Sequence, residues 1–178
     1  MQPISILSPR LEEGAKIVFT GFPGLVIRQD GGLDLCEATL AHEMQRLLEH
    51  KVALLIGLIE DEELECVAYD DVIDAAQDIL IETARFPLRD FGVPLPGQEA
   101  SLKRILSRAV DRLRGGNSIA LHCMAGDGRS GLLAGCLLVE LGFSPTRALR
   151  EVRSVRPEAI ETERQLAYLL ARSKTSAR

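Results

Sequence analysis

The chain has 178 residues, enough for one domain with a sizeable core. Its net charge of −5 argues against a broad nucleic-acid or anionic-membrane surface, and 46% apolar against 26% charged residues is ordinary for a globular protein. No apolar run approaches the roughly 18 residues of a membrane span. Residues 1–14 carry Arg10 as their only basic residue and lack the basic start and long apolar core of a signal peptide. The expectation is a cytoplasmic monomer without nucleic-acid or membrane partners. Cys36, Cys66, Cys123 and Cys136 have no metal-site spacing and no paired histidines, so free thiols in a reducing compartment are expected, with no metal and no cofactor.

In chain order, residues 1–14 read as an unstructured strap. Lys16–Gly21 and Leu25–Arg28 read as short strands, with Gly21, Pro23 and Gly24 turning between them. Leu40, Met44, Leu47 and Leu48 recur at helical spacing over 37–51. Val52–Ile59 is a continuous apolar run, suited to a strand buried on both faces. Asp61–Cys66 reads as one helical turn, with the acids of 60–65 solvated, and Asp71–Leu80 as a helix. Ala84–Leu88 reads as a strand leaving the core at Pro87. Gln98–Arg114 is an amphipathic helix stopped by Gly115-Gly116. Ser118–His122 is the central strand, and the apolar segment 130–141 a helix buried nearly all round. Ser144-Pro145 opens the next helix as cap and first-turn residue. Glu161–Arg172 forms the last helix, and 173–178 is a frayed tail. Strands alternating with helices define a single α/β domain over 15–172, a central mixed β-sheet flanked by helices on both faces.

The chemistry concentrates in one run, His122-Cys123-Met124-Ala125-Gly126-Asp127-Gly128-Arg129-Ser130-Gly131. Placed between a strand and a helix, it puts a sulfur inside a ring of backbone N–H groups from Met124, Ala125, Gly126, Asp127, Gly128 and Arg129. Such a ring at a helix N-terminus binds a tetrahedral anion, and thiols in such surroundings ionise far more readily than a free thiol at about 8.5. Arg129 offers a planar fork to two phosphate oxygens, and Ser130 can hydrogen-bond the sulfur. Asp127 would repel a dianion unless it points to solvent or pairs with an arginine.

This run resembles the H-C-x5-R-[ST] phosphate loop of the cysteine-dependent protein tyrosine and dual-specificity phosphatases. Phe86-Pro87-Leu88-Arg89-Asp90-Phe91-Gly92-Val93-Pro94 resembles their general-acid loop. Arg156-Pro157-Glu158-Ala159-Ile160-Glu161-Thr162 with Gln165 resembles the R-P-G-A-I-x-T…Q segment of the kinase-associated group, with Glu158 in place of Gly. The resemblance implies Cys123 as nucleophile, Arg129 as phosphate ligand and Asp90 as acid and then base. It implies His122 as a buttress of the loop and Gln165 as the residue positioning the hydrolytic water. It also suggests Cys66 as a thiol that traps oxidised Cys123. Cys36 and Cys136 read as core filler, and Arg156 as structural.

The expected reaction is metal-free hydrolysis of a phosphate monoester through a phosphocysteine. The expected substrate is a protein or peptide phosphotyrosine, with phosphoserine and phosphothreonine as further candidates. A phosphoinositide or small-molecule phosphatase is the alternative within the class, which Met124 and Asp127 disfavour where lipid-directed relatives carry lysines. Outside the class stand an idle phospho-binding module and a sulfurtransferase or arsenate reductase. Asp90 discriminates against the latter, and the full set Cys123, Arg129 and Asp90 against the former.

Overall fold

The structure is a computed structural model that describes residues 4–9, 14–64 and 68–173. Five strands form one sheet in the order β1 (Ser5–Leu7), β2 (Ile17–Thr20), β7 (Ser118–His122), β5 (Val52–Gly57) and β6 (Glu82–Arg85). β1 runs antiparallel to β2 and the other pairs are parallel, so the sheet is mixed as expected. β3 (Leu25–Ile27) and β4 (Leu33–Leu35) form a separate antiparallel hairpin.

Two readings are corrected here. Ser5–Leu7 is an ordered edge strand rather than unstructured strap, because Ser5 pairs with Phe19 and Leu7 with Ile17. The strand expected at Leu25 is present and pairs with Leu33–Leu35, a strand too short to show a period. β6 also begins earlier than expected and ends before Phe86.

The helices are α1 (Glu37–Glu49), α2 (Asp61–Leu64), α3 (Tyr69–Asp78), α4 (Glu99–Arg114), α5 (Gly128–Glu140), α6 (Pro145–Val155) and α7 (Glu163–Leu170). Ser144 caps α6, its hydroxyl accepting from Arg147 N–H at 3.3 Å, with Pro145 in the first turn. Among the described residues no helix is long and apolar enough to cross a membrane.

Strand alternation feeds two cores, one on each face of the sheet. Ile17, Phe19, Leu54, Ile56, Ile119 and Leu121 pack with α4, α5, α6 and α7, whereas Val18, Leu55 and Ala120 pack with α1 and α3. Val52 shares the face of Leu55 despite an odd separation, because the register with β7 shifts between Val52 and Leu54. A bulge there adds a residue and flips the alternation. α5 is buried from Gly128 to Val139, as its apolar sequence requires. The parallel strands β2, β7, β5 and β6 therefore all end at one edge, and the loops leaving that edge carry the site.

Candidate active site

Cys123 follows the last residue of β7 and is buried, and α5 begins at Gly128. In the intervening turn Gly126 N–H donates to Cys123 Sγ at 3.1 Å. Gly126 has φ +87° and lies against the Thr20 carbonyl, so a side chain would be both strained and obstructed. Phe22 N–H donates to Met124 O at 2.9 Å and ties the loop to the segment after β2.

Behind the loop, His122 is fully buried. Burial, with Arg129 and Arg85 nearby, pushes its pKa down to about 4, so the ring is neutral near pH 7. Nδ1 lies 3.4 Å from Cys123 O, and a carbonyl only accepts, so Nδ1 carries the proton. Nε2 then accepts from Tyr69 Oη at 3.0 Å, a phenol that burial pushes up to about 12. Phe22 and Tyr69 stack edge and tilt against the ring. One ring nitrogen thus faces the loop backbone and the other is anchored in the core.

Arg129 is 2% exposed, which makes its charge costly without partners. Glu63 of α2 supplies the main one. The two carboxylate oxygens meet Nη1 and Nη2 end-on, the second at 2.9 Å, and Glu60 N–H also donates to Glu63 at 2.8 Å. Burial pushes the Glu63 carboxyl up, but these bonds and the Arg129 charge outweigh it and hold it below the usual range. The acids of 60–65 are therefore not all solvated: Glu63 sits a quarter exposed on the phosphate-loop arginine. Sequence reasoning missed it, since nothing distinguishes it from Asp61 and Glu62. The available signal was an acid just past the carboxyl end of a central parallel strand, where sites of this class lie.

With its end occupied by Glu63, the guanidinium turns its Nε side toward Asp90. Nε is buried and makes no hydrogen bond in the structure; Asp90 Oδ1 lies 3.2 Å away, off the N–H direction. The Ser130 hydroxyl is likewise buried and without a hydrogen-bond partner, rather than bonded to the sulfur. Asp127 pairs with Arg156 at 3.1 Å, which removes the repulsion its carboxylate would otherwise exert on an anion.

Asp90 is half exposed on the loop after β6. Its N–H donates to Glu60 at 3.3 Å. On the other side Gln165 Nε2 donates to Gly92 O at 3.1 Å and Thr162 Oγ1 to Phe91 O at 3.3 Å. Gln165 Oε1 accepts from Glu161 N–H at 3.0 Å and from Thr162 N–H at 3.5 Å, while Thr162 Oγ1 accepts from Gln165 N–H at 3.1 Å, a capping box. Gln165 is fully buried, its Oε1 accepting from backbone and one N–H of its amide bonded to Gly92 O, so in this structure it clamps the acid loop. The T-x-x-Q capping pattern is the sequence signal for that clamp. Arg153 fixes the same segment by donating to Ala159 O and Ile160 O, each at 3.1 Å.

Cys136 is buried and its thiol pushed up to about 12 by burial, as core filler should be. Cys36 instead sits half-buried at the N-cap of α1. Cys66 lies outside the described residues.

A cysteine in an N–H cradle, a buried arginine and an aspartate on a tethered loop define the phosphate site of a cysteine-dependent phosphatase fold. The family model described as "PTP-SAK: Swiss Army Knife protein, DSP-PTPase phosphatase domain" matches residues 36–177, and the chain belongs to that family. It is 34% identical over 110 residues to cyclin-dependent kinase inhibitor 3 of Rattus norvegicus, covering 60% of this chain and 50% of the relative. The human protein of the same name is also 34% identical over 110 residues, with the same shares covered. The chain thus spans about half the length of these curated relatives. Among solved structures, kinase associated phosphatase with its catalytic-site cysteine replaced by serine superposes with TM-score 0.77 at 26% identity, over 94% of this chain and 92% of that one. Tk-PTP in its active form gives TM-score 0.63 at 28% identity, over 88% and 92%.

Proposed function

We propose that this chain hydrolyses phosphate monoesters on proteins through a phosphocysteine at Cys123, with phosphotyrosine as the main substrate and phosphoserine and phosphothreonine also accepted. The observation that carries this reading is the Gly126 N–H pointing at the Cys123 sulfur beside the buried Arg129, whose Nε makes no hydrogen bond and lies 3.2 Å from Asp90. A phosphoryl group seated on Cys123 satisfies both. The presence of Cys123, Arg129 and Asp90 together is the argument against an idle scaffold, which has no use for all three.

In the first step the Cys123 thiolate attacks phosphorus while Asp90 gives its proton to the departing oxygen. Backbone N–H groups from Met124 to Arg129 and the Arg129 guanidinium take the charge on the three equatorial oxygens. In the second step water attacks the phosphocysteine, Asp90 takes the water proton, and the S–P bond breaks with its electron pair returning to sulfur. In this reading Ser130 Oγ, which has no hydrogen-bond partner in the structure, donates to that returning thiolate. His122, Tyr69 and Glu63 hold the groups that act and take no part in bond changes.

The acids around the site, Asp90, Asp127 and Glu161, favour a phosphoprotein over a polyphosphorylated headgroup. The free thiols at Cys36, Cys123 and Cys136 support a reducing, cytoplasmic setting. The test is turnover of p-nitrophenyl phosphate and of phosphotyrosyl peptides in EDTA. Wild type should turn over, Cys123→Ser should be inactive, and Asp90→Ala should be slowed most for poor leaving groups. Turnover that survives Cys123→Ser would sink the proposal.

A further inference from the structure

The acid loop is entered from a strand that has a neighbour on one side only. β6 is the last strand of the sheet, and among the described residues no strand lies beyond it. Phe86 N–H donates to Gly57 O, so strand alternation turns the backbone groups of Thr83 and Arg85 outward, away from β5. An open edge of this kind accepts an added strand.

α4 stands beside this edge and carries five basic residues against two acids, in a chain whose net charge is −5. Arg104, Arg108 and Arg112 recur at four-residue spacing and share one helix face. They line two clefts that meet at Arg108. One, of about 400 Å³, lies between α4 and Ala84 of β6, and the other, of about 320 Å³, runs on past Arg112. Asp111, in the second cleft, is the one acid among the lining side chains. Arg108 and Arg112 both lean on Glu82, so one carboxylate answers two guanidinium groups. Arg104 makes no ion pair among the described residues and meets the Ser101 hydroxyl at 2.8 Å. Like charges four apart on a helix repel, and an anion laid across the row relieves that repulsion.

The row also has a direction. Arg108 and Arg112 reach Glu82 at the start of β6, whereas Arg104 shares its cleft with Arg85 at the end, where the acid loop begins. From Arg104 to Arg112 the helix rises about 12 Å, the length of about four residues of extended chain. Arg85 and Asp90 are at most about 18 Å apart along the backbone. The rim of the site is itself acidic, with Asp90, Asp127 and Glu161 close together. An acidic stretch near a phosphorylated residue is therefore repelled at the rim and attracted to α4.

We propose that the groove between β6 and α4 docks an acidic, extended segment of the phosphoprotein substrate. Its backbone pairs with Thr83 and Arg85, and its carboxylates meet Arg104, Arg108 and Arg112. This rests on the phosphatase reading above and deepens it: the favoured substrates carry acids roughly six to ten residues from the phosphorylated one. The open strand edge selects a polypeptide over a nucleic acid, which has no backbone to pair with it.

Two phosphotyrosyl peptides test this, identical except for a tail about eight residues from the phosphotyrosine. One tail alternates glutamate and aspartate, and the other serine and glycine. Wild type should favour the acidic tail by about tenfold in kcat/KM, through KM, and high salt should erase most of the difference. Replacing Arg104, Arg108 and Arg112 together by glutamine should bring the two peptides within about twofold. Turnover of p-nitrophenyl phosphate, which has no tail, should be unchanged and reports that the variant is folded. Arg104→Glu alone, at a residue without an ion pair, should remove most of the preference. The acidic tail without its phosphotyrosine, added to isotope-labelled protein, should shift the amide signals of Thr83 and Arg85, but not in the triple variant.

An acidic tail that gives wild type no advantage, or an advantage that survives the triple substitution, would overturn the docking role. So would an oligonucleotide of equal charge that shifts the same amides as strongly, because the groove would then be a general polyanion surface. Failure of the phosphatase reading would look different: neither peptide nor p-nitrophenyl phosphate would turn over, and the amide shifts would still decide for or against the groove.

Discussion

Replacing Glu63 with glutamine tests how the loop arginine is held. The substitution keeps the shape and one acceptor but removes the charge that faces Nη1 and Nη2 of a guanidinium only 2% exposed. Breaking a fully buried pair by removing one partner costs about 3–5 kcal/mol. Glu63 is 24% exposed, and Asp90 Oδ1 remains 3.2 Å from Nε, so we discount that to about 2 kcal/mol. With a urea dependence of about 2 kcal/mol per molar, the midpoint should fall by about 1 M. The chain has no tryptophan, so far-UV circular dichroism is the suitable probe. A guanidinium freed at its end should also tilt its Nε side away from the phosphate, lowering kcat/KM by about tenfold to a hundredfold. In a double-mutant cycle with Arg129→Met, the Glu63→Gln cost should largely vanish. A midpoint unchanged within error, together with unchanged kcat/KM, would show that Glu63 neither supports nor aims Arg129, and the argument would fail.

Two further outcomes follow from the same packing. The His122 ring is neutral in the fold and takes a proton more readily when unfolded. Stability should therefore be intact above pH 6.5 and fall as pH drops toward 4, losing about 2 kcal/mol between pH 7 and pH 5. Urea midpoints across that window would check this, with His122→Asn expected to flatten the slope; a flat wild-type profile would contradict it. Gly57→Ala places a Cβ over Tyr69 Oη and 2.8 Å from His122 Nε2, so it should cost about 1–3 kcal/mol and lower Tm by about 5 °C. An unchanged melting temperature would mean the Tyr69–His122 pair tolerates displacement.

Much of this protein was legible in its residues because the signals were local. The run from His122 to Gly131 states its chemistry in consecutive positions, and the strand before it and apolar helix after it state the turn that chemistry needs. Residues 99–114 and 145–155 announce their helices through periodicity, Gly115-Gly116 and the Ser144-Pro145 cap. Asp90 could be singled out because it lies in a short proline-bounded loop.

What the sequence could not decide was pairing across the chain. Ser5–Leu7 and Leu33–Leu35 are strands only because Phe19 and Leu25 lie opposite them, and three residues carry no readable period. Glu63 and Asp61 belong to the same acidic turn. Tertiary placement gives Glu63 to Arg129 and Asp61 to Arg85, a choice made by where β6 and the phosphate loop meet. Asp127, alarming as a charge inside an anion loop, is settled by Arg156, 29 positions away. The capping box turns the Gln165 amide inward onto the backbone of the acid loop, and the Glu161 carboxylate lies over Gly128. Composition and periodicity determine which segments fold and which loop carries the chemistry. The partners of each charge depend on distances between segments, and only the folded sheet sets those.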